Sequence, residues 1–131
     1  MKLVVVEDGS ELVADLWVTR HRAASSILCY PEGRAALAAA RRAGRLSSST
    51  HSTALEDFEA THGELLMIGV DAALARHAGE LAEDLELRGY DAVHLASALA
   101  FGADTTLVTW DQELGRAAVH VGCSVAPAVR P

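Results

Sequence analysis

Residues 89–102 read "GYDAVHLASALAFG", with a single carboxylate, Asp91, set among apolar and small neighbours. Alanine and leucine favour helix, and an apolar helix of this kind has to pack into a core. A lone carboxylate carried into that core is costly unless it is hydrogen-bonded, paired or bound to a metal. Two readings of Asp91 follow. It is a first-turn acid satisfying the helix N-terminus, or it is a functional carboxylate held in an apolar frame.

Working outward, the flanking segments alternate between short strands and helices. Downstream, "TTLVTW" (105–110) reads as a strand, "DQELGRAAVHVG" (111–122) as a helix and "CSVAP" (123–127) as a last strand. Upstream, "ELLMIGV" (64–70) reads as a strand and "DAALARHAGELAEDLEL" (71–87) as an amphipathic helix capped by Asp71. Further back, "RAASSIL" (22–28) reads as a short strand, and Pro31 suits the first turn of a helix through "EGRAALAAARRAG" (32–44) that Gly44 can end. The polar stretch "SSSTHSTALEDFEATHG" (47–63) reads as a loop leading into a helix that starts near Ser52 or Thr53. Thr53 and Glu56 stand at capping-box spacing there. "GSELVADLWV" (9–18) places Leu12, Val13, Leu16 and Trp17 at helical spacing, with Ser10 as its cap. Strands separated by helices of this length imply right-handed crossovers and a mainly parallel sheet covered by helices. The expected class is therefore α/β, in a single domain over 1–131.

Composition narrows the functional classes. The chain has 131 residues, half of them hydrophobic and 5% aromatic, and a formal net charge of −7. That charge argues against a passive nucleic-acid coat, which needs a basic face to displace counterions. It leaves room for an enzyme whose acids reach phosphate through metal ions. Cys29 and Cys123 form no C-x-x-C pattern, which suits a reducing, cytoplasmic setting. No signal-peptide pattern and no run of about 18 apolar residues is visible, so no membrane role is expected.

Three carboxylates make the chemical case together. Asp111 follows a strand and opens a helix, at the carboxyl end where open α/β sheets carry their sites, although it too can be read simply as a cap. Glu32 sits early in the alanine-rich helix and on its own reads as a dipole-satisfying surface acid. Asp91, Asp111 and Glu32 are hard oxygen ligands of the kind Mg²⁺ or Mn²⁺ requires. An ion so held can activate water and stabilise a leaving oxyanion in phosphodiester hydrolysis without a protein nucleophile. His94 shares a helix face with Asp91 at i+3 and is read as structural in preference to acid/base. Arg41, Arg42 and Arg45 are read first as partners of a helix C-terminus, and second as phosphate ligands.

The ordered set "SSILCYPEGRAALAAARRAG", "LRGYDAVHLASALAFG" and "LVTWDQEL" resembles the PIN domain, in particular the VapC-like toxin ribonucleases of toxin–antitoxin pairs. The resemblance implies a three-layer α/β/α sandwich and a Mg²⁺- or Mn²⁺-dependent endoribonuclease. It further implies a homodimer silenced by a VapB-like antitoxin. Glu32 matches the family's second acid, Asp91 its third and Asp111 its fourth, while Thr109 matches a supporting hydroxyl.

The opening "MKLVVVEDGS" departs from the family pattern, in which a short strand ends in the first acid. One register places Met1-Lys2-Leu3 at the end of the first helix, so that the first strand and its Asp fall upstream of residue 1. The other makes "LVVVED" that strand and Asp8 or Glu7 the first acid, with only 24 positions from Asp8 to Glu32. The upstream register is the expectation. Loss of the first acid would suit a rival function, a degenerate PIN-like module that only dimerises or binds an antitoxin. An unrelated small α/β domain would require the motif order to be coincidence.

Overall fold

In the computed structural model, residues 10–20 and 22–131 are described; the opening residues read as a candidate strand, with the candidate acids Glu7 and Asp8, lie outside them. The described elements are α1 (Ser10–Thr19), β1 (Ala24–Ser26), α2 (Cys29–Arg42), α3 (Ser48–Gly63), β2 (Leu66–Ile68), α4 (Ala72–Leu85), α5 (Gly89–Phe101), β3 (Thr106–Val108), α6 (Gln112–His120) and β4 (Ser124–Ala126). This is the α/β alternation expected from the sequence, with strands of only three residues each. The chain forms two compact units, one through Leu66 and a second from Met67 to Pro131.

In the first unit, α2 and α3 pack around Leu37, Ala40, Leu46, Ala54 and Phe58. The end of the unit returns to β1, where the Leu66 N–H donates to the Ala23 carbonyl (2.9 Å). Gly33 is buried because the Phe58 ring covers it; a Cβ at that position would stand 2.3 Å from a ring carbon. Tyr30 packs against both Phe58 and His62, with ring centroids 5.7 and 4.9 Å away. Its hydroxyl donates to Glu59 Oε1 (2.6 Å), and Arg34 donates to both groups, tying α2 to α3 at the surface. The Tyr30 hydroxyl, then Arg34, hold the Glu59 carboxyl below the usual carboxylate range.

The start of α3 corrects the sequence reading. The helix begins at Ser48, four to five residues before the expected Ser52 or Thr53, and its cap is Ser47, whose Oγ accepts from the Thr50 N–H (3.1 Å). Thr53 lies inside the helix and donates to the Ser49 carbonyl (3.2 Å). A run of hydroxyl residues offers several cap candidates at once. The one chosen is the first that lets Leu46, Ala54 and Phe58 reach the same core. Ser47→Ala is expected to cost about 1 kcal/mol, and Thr53→Ala only a few tenths, which urea unfolding of the two variants would separate.

In the second unit, α4, α5 and α6 bury Ala78, Leu81, Ala92, Leu95, Ala96, Leu114, Ala117 and Ala118. Alanine at most of these positions lets the helices approach closely, and Leu81, Leu95 and Leu114 fill what remains. Asp71 caps α4, accepting from the Leu74 N–H (2.8 Å), as expected. β3 and β4 pair in parallel, Thr106 with Ser124 through Val108 with Ala126. The Thr109 N–H extends that ladder to the Ala126 carbonyl (3.0 Å). Among the described residues no helix is long and apolar enough to cross a membrane.

Candidate active site

The second unit brings two of the three candidate acids together. Asp91 lies in the first turn of α5, three residues after the N-cap Arg88, where a carboxylate is favoured by the helix dipole. Arg88 supplies no side-chain cap bond to α5. Its guanidinium instead donates Nε to Asp91 Oδ2 (2.7 Å) and Nη2 to Asp111 Oδ2 (3.2 Å). One cation therefore meets carboxylates from the starts of two helices. Asp91 is mostly buried, with its side chain 18% exposed against 75% for Arg88. The Asp91 bond, then the charges around it, hold the Arg88 proton more firmly than usual.

Asp111 combines both readings the sequence left open. It is the N-cap of α6, with Oδ1 accepting from the Glu113 and Leu114 N–H groups (2.9 and 3.1 Å). Its other oxygen faces Arg88. The β3–β4 ladder sets the height of this cap: Thr109, fixed by its bond to Ala126, accepts the Asp111 N–H on its hydroxyl (3.1 Å). The Thr109 hydroxyl thus touches the backbone of Asp111.

Glu32 belongs to the first unit, half-buried in the first turn of α2. His94 lies in α5 with its ring edge against Tyr90 (5.1 Å between centroids), a packing role. Sequence reasoning overlooked Arg88. Its signal was present all the same, an arginine three residues before Asp91, the spacing at which helical side chains meet.

The donor chemistry fits a divalent cation in part. Two hard carboxylate oxygens, Asp91 Oδ2 and Asp111 Oδ2, already converge on one positive group. Among the described residues no three His, Cys, Asp or Glu side chains cluster as a metal-holding group.

A model of the PIN domain matches residues 7–119, a span that runs through both units and carries Glu32, Asp91 and Asp111. The chain belongs to the PIN-domain family. Within that family, it is similar to "Ribonuclease VapC45" of Mycobacterium tuberculosis (strain CDC 1551 / Oshkosh) and "Ribonuclease VapC49" of Mycobacterium tuberculosis (strain ATCC 25618 / H37Rv). Each is 46% identical over 129 residues, covering 98% of this chain and 90% of the relative. The PIN assignment agrees with the fold: helices over short strands, paired in parallel where β3 meets β4.

Proposed function

We propose that this chain, read as one PIN domain, is the toxin of a toxin–antitoxin pair and hydrolyses RNA phosphodiester bonds with the aid of Mg²⁺ or Mn²⁺. The observation that carries the reading is the convergence of Asp91 and Asp111 on one cation, in a PIN chain 46% identical to two proteins named ribonucleases. Asp91 and Asp111 hold the metal. Glu32 is assigned to the same chemistry on its match to the family's second acid.

When bound, such an ion supplies a more acidic water and stabilises charge on phosphodiester oxygens. The chain's own residues prepare for it. The Ala-rich packing around α5 keeps Asp91 mostly out of water, which strengthens its pull on any cation. Thr109 and the α6 amides fix Asp111, so its outward oxygen is presented without rearrangement. Arg88 neutralises the two like charges, and a bound divalent ion would take its place between them. RNA is the substrate, a VapB-like antitoxin the partner, and a homodimer the assembly in this proposal.

A second reading has an observation of its own. Because no three acids cluster among the described residues, a non-catalytic PIN module that binds an antitoxin would present the same two aspartates. Incubating the chain with RNA in Mg²⁺ or Mn²⁺, beside an EDTA control, separates the two. Cleavage that EDTA stops is expected. No cleavage, with divalent-ion binding undetectable by calorimetry, would overturn the nuclease reading in favour of the binding module.

A further inference from the structure

The acids of this chain are unevenly placed. Between Glu32 and Glu56 there is no Asp or Glu, while Arg34, Arg41, Arg42 and Arg45 fall in that interval, so the remainder of a chain of net charge −7 carries −11. Arg34 is taken up by Glu59 and Tyr30. The other three gather where α2 ends and α3 begins, within the first unit.

The helix C-terminus does not need them as hydrogen-bond donors, although Arg41 and Arg42 in its last turn suit its dipole. Its last carbonyls are closed by backbone: the Ala43 N–H bonds Ala39, the Gly44 N–H bonds Arg41 and the Arg45 N–H bonds Ala40, at 2.9, 3.0 and 3.0 Å. Gly44, at φ +75°, makes this turn possible. The arginine side chains are thereby left to the surface, where Arg41, Arg42 and Arg45 are all exposed. Arg41 reaches across to Ser48 Oγ (3.2 Å), at the first residue of α3. Arg41 and Arg42 line a cleft of about 370 Å³ with Ala38 and the half-buried His51. Two guanidinium groups and an imidazole around a concavity with no acid in its lining make a phosphate-recognition chemistry.

We infer that Arg41, Arg42 and Arg45, with His51, form a subsite for the RNA backbone; the inference rests on RNA being the substrate. Glu32 and Arg41 share α2, about 14 Å apart along the helix axis and on opposite sides of it, so the cleft is a backbone subsite distinct from the Glu32 face. In an acidic protein the cleft supplies the local positive potential that a polyanion needs in order to dock. An acidic protein segment is the other macromolecule such a surface could attract. Repeating phosphates are favoured, because planar guanidiniums pair with phosphate oxygens two at a time and RNA is the proposed substrate.

The test is binding of a fluorescent single-stranded RNA to the full chain in EDTA, by anisotropy across a salt series, so that no cleavage is required. Arg41→Gln/Arg42→Gln is expected to weaken binding about tenfold at low salt and to flatten the dependence of log K on log salt by about 1.4, two phosphates' worth. Arg45→Gln, beyond the helix and outside the core, should flatten it by about half as much. Unchanged affinity and slope in both variants, with circular dichroism matching the parent, would overturn the inference. So would a glutamate-rich peptide binding through the same arginines while RNA binding ignores them. A chain that binds RNA in this arginine-dependent way but never cleaves it would uphold the subsite and sink the nuclease reading alone.

Discussion

Asp91→Asn is expected to lower metal-dependent RNA cleavage by at least about a hundredfold, the upper range seen when even a ligand's supporting partner is removed. The exchange keeps the shape of the side chain and removes its charge. Arg88 can still donate Nε to the amide oxygen, so the contact of 2.7 Å has a surviving acceptor and α5 keeps its first turn. Circular dichroism and the urea midpoint should therefore stay near the parent values. RNA affinity should hold or rise, since a negative charge beside a polyanion has been removed. Asp111→Asn makes the companion experiment: asparagine caps a helix about as well as aspartate, so the variant separates the charge facing Arg88 from the bonds to Glu113 and Leu114. Undiminished cleavage in the Asp91 variant would remove that residue from the site.

Leu95→Ala is expected to cost about 2–5 kcal/mol, with the upper half more in keeping with its surroundings. Leu95 is fully buried, and the core residues packed with it include Ala78, Ala92, Ala96, Ala117 and Ala118. Alanines have no rotamers with which to swing into a void, so only Leu81 and Leu114 among the buried neighbours can shift and the cavity closes in part at most. A urea titration should show the midpoint moving down with little change in slope. A loss below about 1 kcal/mol would mean that Leu81 and Leu114 repack to close the hole, against the expectation from an alanine-lined core.

The element order and the two aspartates were legible for a common reason: both depend on local signals. Alternating apolar runs and alanine-rich stretches fix where strands and helices form, and an acid at the first position after a strand declares itself as a cap. The start of α3 was less legible because six hydroxyl residues from Ser47 to Thr53 compete for one role, and only the burial of Leu46, Ala54 and Phe58 decides between them. Arg88 was hidden for a different reason. Its neighbour Asp91 is local, but Asp111 is 23 positions away, and only the fold brings that second carboxylate to the guanidinium. Glu32, in the other unit, rests on motif order alone.

Gly33 and Phe58 bear on how this sequence can change. Because the ring already occupies the space a Cβ would take, the two positions form an ordered lock. A side chain at 33 becomes tolerable only after 58 has first become smaller, and that first step opens the α2–α3 core. Any lineage leaving this arrangement must cross a less stable intermediate before it gains freedom at the residue beside Glu32. The backbone next to a candidate catalytic acid is thus held by a ring one helix away.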